Sequence, residues 1–220
     1  IVRDPSRKEI GKTTVDKDGK WKVTVPTGTK LIPGEKITAK AKKPGREKES
    51  DPTEQIVKEK STVRIDNASS LDFGKQKITT KDEQYKAKND KNHVLIKSNS
   101  DEGWSLQVKQ NGQFKSESGK ELKGAEIKFN TVTVDPLGDH IKTPSYVKTA
   151  FSLTPDGTGI TEKIVVANQG EGNGDLRLIF DSSSSQGRGI ELYVPGNTTK
   201  YAEKYSTSLT WTLADVPAQE

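Results

Sequence analysis

The sequence predicts an all-β chain, an antiparallel β-sandwich over residues 58–220 preceded by a smaller β fragment over residues 1–57. Three observations predict it. Short runs that alternate apolar and polar residues recur at close intervals from Val63 onward, separated by Gly, Asn, Asp and Ser clusters. Only 29% of the 220 residues are hydrophobic while 30% are charged, which suits half-solvated sheets better than elements buried on both sides. No long amphipathic helical stripe is present; the nearest candidate, Thr80 to Lys91, is too polar to bury one.

Taken in order, Thr14-Val15 and Trp21 to Val25 flank Asp16-Lys17-Asp18-Gly19, a turn sequence suited to a hairpin. Trp21, Val23 and Val25 share one face of an extended strand and are expected to make a small core. Ile37 to Ala41 adds a third strand. Lys42 to Glu59 is dense in charge, with Pro44-Gly45 and Asp51-Pro52 as turn signals, and places a domain boundary near residue 57. Strands are then expected at Val63 to Ile65, Leu71 to Phe73, His93 to Ile96, Trp104 to Val108, Ile127 to Val134 and Val147 to Leu153. Ile164 to Val166, Leu176 to Phe180, Ile190 to Val194 and Leu209 to Leu213 complete the set.

Composition excludes several function classes. There is no cysteine, hence no disulfide framework and no cysteine-based zinc site. His93 and His140 stand singly, without a spaced second ligand, and no metal or other cofactor is expected. No carboxylate pair lies in an apolar setting that would suit glycosidase chemistry. The serines of Asp181 to Ser185 form a polar run without a Gly-x-Ser-x-Gly elbow, and the acidic stretches at Asp135 to Asp139 and Asp156-Gly157 read as ordinary turns. The chain is not expected to be an enzyme.

Charge is uneven. Residues 1–57 carry fourteen Lys and Arg against nine Asp and Glu, whereas residues 58–220 carry twenty-two of each sign. The basic segment Lys36 to Lys48 suits an anionic polymer, nucleic acid and teichoic acid alike, and equally a solvated strand face; nucleic acid is not the expected partner. No apolar run is long enough to span a membrane, and Ile1-Val2-Arg3-Asp4 is not the core of a signal peptide. With no methionine at all, the chain is expected to be a piece of a longer polypeptide.

The most informative segment is Tyr205-Ser206-Thr207-Ser208-Leu209-Thr210-Trp211-Thr212-Leu213-Ala214-Asp215-Val216-Pro217. It resembles the distal motif of the WxL family of Gram-positive cell-surface domains: a Tyr, three residues, Leu-Thr-Trp, any residue, Leu, then a Pro four positions on. An earlier Trp-x-Leu stands at Trp104-Ser105-Leu106, and Ser70-Leu71-Asp72-Phe73-Gly74 is similar to the family's domain opening. The resemblance covers roughly residues 60 to 220. Residues 1–57 resemble, through Asp16 to Pro26 and Leu31-Ile32-Pro33-Gly34, the later strands of a bacterial immunoglobulin-like repeat.

The WxL resemblance implies an exported protein held non-covalently on the cell wall, with peptidoglycan or another wall polymer as ligand. It also implies a membrane-anchored WxL-interacting surface protein as a further partner. Pro217 to Glu220 shows neither a sorting motif nor an apolar tail, as that attachment requires. The alternative is a protein-interaction or adhesin module docking on a partner surface protein or host matrix. The residues implied for binding are Trp104, Leu106, Tyr205, Leu209, Thr210, Trp211 and Leu213. Tyr205, Leu209, Trp211 and Leu213 fall on one face of an extended strand, Thr210 and Thr212 on the other, and Trp104 and Leu106 share a face likewise. Two readings stand: these side chains form the sandwich core, or they line a groove that grips sugar rings or a partner.

Overall fold

The computed structural model describes residues 1–45, 48–88, 93–153, 160–180 and 189–215. Two compact units, residues 1–60 and 61–220, make up the chain.

In the first unit β1 (Val2–Arg3), β2 (Glu9–Gly11), β3 (Lys36–Ala39) and β4 (Thr53–Ile56) form one antiparallel sheet in the order β2-β1-β3-β4. The Asp16 turn forms as its sequence dictates, with the Asp16 carboxylate accepting the N–H groups of Asp18 and Lys20 at 3.0 and 2.8 Å. The hairpin expected around it does not, because Thr14-Val15 is too short a partner and Val15 lies exposed. Val23 instead rests on Gly11, where a Cβ would come within 2.0 Å of it, so the segment meets the sheet by packing rather than by hydrogen bonding. The expected core is corrected accordingly. Trp21 is 50% exposed, Val23 and Val25 are half-buried, and Val2 and Ile10 are the buried apolar residues.

In the second unit the described strands are β5 (Val63–Ala68), β6 (Glu83–Lys86), β7 (His93–Ser98), β8 (Trp104–Gln110), β9 (Lys115–Ser116), β10 (Glu126–Phe129) and β11 (Thr133–Pro136). They continue with β12 (Tyr146–Val147), β13 (Phe151–Leu153), β14 (Glu162–Ala167), β15 (Gly174–Ile179), β16 (Ile190–Val194), β17 (Tyr205–Ser206) and β18 (Leu209–Asp215). Three four-stranded sheets, β13-β10-β16-β6, β11-β15-β7-β5 and β12-β14-β8-β18, and a β17-β9 ribbon result, every pairing antiparallel. The expected all-β, sandwich-like fold is what forms. All three sheets contribute to one continuous core, with Ile96, Trp104, Leu106, Phe129, Leu153, Ile164, Leu176 and Leu178 among its buried members.

Two expected strands are each broken in two by a corner. Ile127 to Val134 becomes β10 and β11 in different sheets, with the Asn130 N–H donating to Gly189 and the Val132 N–H to Thr149 across the break. Val147 to Leu153 likewise splits into β12 and β13. Leu71 to Phe73 is not a strand, although Leu71 and Phe73 still pack against the core. The polar stretch around Thr80 supplies β6, an edge strand whose Glu83 and Tyr85 turn inward while Gln84 and Lys86 face solvent. Its polarity is what an edge beside water tolerates.

Candidate functional site

β18 pairs with β8 along its whole length, although about a hundred residues separate them. The register sets Leu213 opposite Leu106, Trp211 opposite Val108 and Asp215 opposite Trp104. The two Trp-x-Leu segments are therefore halves of one antiparallel ladder. β8 is an interior strand of its sheet, between β14 and β18, whereas β18 lies at the sheet's edge, and this difference decides what each half can touch.

On the interior strand, Trp104 and Leu106 expose no surface. The Trp104 indole N–H donates to the Gly172 carbonyl at 3.3 Å, which satisfies its polar atom without solvent. Gly172 has a φ of 63°, and a Cβ there would lie 2.8 Å from the indole, so glycine is required by backbone and by space alike. Glu171 locks this lid. It is 6% exposed, and its Oε2 accepts the backbone N–H groups of Asn168 and Ser145, both at 2.9 Å, while Lys142 lies 3.2 Å from Oε1. The hydrogen bond from Asn168, against the opposing effect of burial and with help from Ser145 and Lys142, holds the Glu171 carboxyl down to about 2.

On the edge strand, Leu209, Trp211 and Leu213 are half-buried against the core and Thr210 and Thr212 are exposed. The Trp211 ring stacks on Phe180 with centroids 5.8 Å apart and meets Phe129 edge-on at 6.5 Å. Phe129 in turn stacks on Phe151 at 4.4 Å. The Thr210 hydroxyl exchanges hydrogen bonds with the Asn111 amide at 2.8 and 3.1 Å. Tyr205, half-buried in β17, accepts the Tyr201 backbone N–H on its hydroxyl at 3.0 Å. Of the seven residues implied by the sequence, five keep accessible surface: Tyr205, Leu209, Thr210, Trp211 and Leu213. Trp104 and Leu106 do not, because an interior strand and the Gly172 lid enclose them; in this fold they support the ladder and offer no surface to a ligand.

Several other sequence readings acquire a place. Asp135 is spent on Arg177, at 2.7 and 3.1 Å. The basic segment is partly neutralised through Lys36 with Glu54 and Lys40 with Glu49. Among the described residues, no group of three or more His, Asp or Glu side chains is placed to hold a metal ion. The serine run Asp181 to Ser185, the Asp156-Gly157 turn and Pro217 lie outside the described residues.

Sequence reasoning missed a groove of about 980 Å³ in the second unit, lined by Asp82, Lys120, Lys123, Tyr193, Asn197 and Tyr201 among others. The available signal was the pair Tyr193 and Tyr201 on either side of the turn sequence Pro195-Gly196-Asn197.

The family model described as WxL domain, surface cell wall-binding, matches residues 12–217, which takes in most of the first unit as well as the second. No curated protein and no solved structure matches the chain.

Proposed function

We propose a function from one premise: the chain belongs to the WxL family of surface cell wall-binding domains. It is a wall-attachment module of a secreted bacterial surface protein, and the polymer it holds is peptidoglycan, bound without a covalent bond. The observation that carries this reading is the match over residues 12–217.

The contact surface in this proposal is the segment from Tyr205 to Leu213. Tyr205, Leu209, Trp211 and Leu213 give it apolar and aromatic area, and Thr210 with Asn111 gives it a hydroxyl and an amide. Trp104 and Leu106 hold that edge strand from inside. The equal numbers of acidic and basic residues over 58–220 favour a neutral glycan over a phosphate-rich polymer, which would be held mainly by unpaired cations. The first unit is proposed as part of an immunoglobulin-like stalk with no ligand of its own.

The test is retention of the full chain on purified, protein-free peptidoglycan at low and high salt. Retention that persists in high salt is expected, since apolar burial and stacking are not screened. Trp211→Ala should weaken it, with circular dichroism to confirm that the variant is folded. Failure on bare peptidoglycan combined with retention on whole cells would overturn the glycan reading and point to a membrane-anchored protein partner.

A further inference from the structure

The groove beside β16 is held open by its own hydrogen bonds. β16 ends at Val194 with Tyr193 turned toward solvent and its neighbours Leu192 and Val194 buried. The chain then turns through Pro195 to Tyr201, and four sets of contacts fix that turn. The Lys200 ammonium donates to the carbonyls of Pro195, Gly196 and Thr198 at 2.8, 3.4 and 3.1 Å. The Gly196 N–H donates to the Asp82 carboxylate at 2.7 Å. The Thr198 hydroxyl donates to the Lys123 carbonyl. The Tyr205 hydroxyl takes the Tyr201 N–H. Gly196 also lies so close to the Thr80 carbonyl that a Cβ would come within 2.4 Å of it. A wall fixed this way needs little ordering when a ligand arrives.

The groove's chemistry is specific. Tyr201 leaves 44% of its surface open, with the Lys120 ammonium 5.3 Å from its ring centroid. The Tyr193 hydroxyl has its pKa raised above the ordinary value by burial first and then by the neighbouring Asp82 carboxylate. The Asn197 amide is exposed, and among the described residues Lys123 makes no ion pair. A flat aromatic ring beside an amide, a carboxylate with spare acceptor capacity and ammonium donors is a set suited to the apolar face and the hydroxyls of a pyranose ring. Formal charges in the lining are two of each sign, Lys120 and Lys123 against Asp82 and Glu121, with Glu121 also paired to Lys115 at 3.0 Å.

We infer that this groove is a saccharide-binding subsite, taking an uncharged pyranose unit of the wall glycan against Tyr201. The inference rests on the wall-attachment reading and adds a second point of contact beyond the β18 edge. It also gives Tyr205 a positioning role, since its hydroxyl holds the backbone that carries Tyr201.

The test compares the full chain with Tyr201→Ala and Asn197→Ala on protein-free walls chemically stripped of teichoic acid, and follows backbone amide NMR shifts as soluble glycan strands from the same walls are added. Neither substitution removes a core side chain, and thermal melts verify the fold. The expected result is a loss of about fivefold to tenfold in affinity for Tyr201→Ala, the scale of one stacked ring, with shifts at Lys120, Lys123, Asn197 and Tyr201 in the parent chain. Unchanged affinity in both variants while the parent is retained overturns the groove alone. Shifts confined to β18 do the same. Retention of the parent only on walls that keep their teichoic acid overturns the saccharide assignment. No retention of the parent on any wall overturns the wall-attachment reading and the groove together.

Discussion

Glu171→Gln tests whether the buried carboxylate locks the lid over Trp104. An unfolded glutamate near 4.5 and a folded one held to about 2 differ by about 3 kcal/mol, at about 1.4 kcal/mol per tenfold change in proton affinity. Lys142 is largely solvated, so screening reduces the figure to about 2 kcal/mol. Because the folded value is depressed, this contribution is complete above about pH 4.5 and is lost as pH falls through about 2. Urea unfolding of the full chain, followed by tryptophan fluorescence at several pH values, reads it directly. At pH 7 the variant should be less stable by about 2 kcal/mol, and the gap should close as the pH drops toward 2. A gap that stays constant across that range would show that the charge of Glu171 does not act through its bonds to Asn168, Ser145 and Lys142. Comparison with the variant also subtracts the acid sensitivity of Asp72 and Glu203, whose carboxyls are lowered by other partners: the Gly74 N–H for Asp72, and Ser116 and Ser118 for Glu203.

Gly172→Ala should cost about 2 to 4 kcal/mol in the same assay, since it adds a strained positive φ to a clash with the indole; an unchanged midpoint would mean the lid moves freely. Gln110 is fully buried with its Oε1 unpartnered, and the Gly112 carbonyl it bonds also accepts the Thr207 hydroxyl at 2.8 Å. Gln110→Leu should therefore leave stability unchanged or raise it by about 1 kcal/mol, and a loss greater than that would refute the reasoning. Tyr205→Phe should speed hydrogen exchange at the Tyr201 amide and weaken glycan binding a few-fold while melting within a few degrees of the parent; exchange as slow as in the parent would remove the positioning role.

What was legible in the sequence was whatever has a local cause. β7, β8, β15 and β16 announce themselves because Val94 and Ile96, Leu106 and Val108, Leu176 and Leu178, and Leu192 and Val194 alternate with period two, as a strand buried on one face must. The Asp16 turn was legible for the same reason, since its bonds are made within five residues. The break between β10 and β11 leaves only a faint trace, a phase shift in which the apolar positions pass from odd (Ile127, Phe129) to even (Val132, Val134) across Asn130-Thr131, and a run read as one strand from Ile127 to Val134 passes over it. Periodicity also carries no information about partners. The odd-numbered face of β18 could be read from the sequence, but its pairing with β8, and so the unequal burial of Trp104 and Trp211, depends on a strand about a hundred residues away. The groove was least legible. Asp82 lies in the stretch too polar for a helix, Tyr193 in an expected strand, and Lys120, Lys123 and Tyr201 in no expected element, and only the fold brings them together.

The β8–β18 ladder also imposes an order of events on the chain as it is made. Synthesis proceeds from the N-terminus at roughly 5 to 20 residues per second, so β8 precedes the strand that covers one of its edges by on the order of 5 to 20 s. Throughout that interval its backbone presents an open row of donors and acceptors flanked by Trp104, Leu106 and Val108, the kind of edge that recruits foreign strands. Contacts of such long sequence separation are also the slow ones to form. The final segment thus serves as a closure, and a substitution within Leu209 to Leu213 that leaves the finished domain sound can still lower its yield by prolonging the time that β8 stands uncovered.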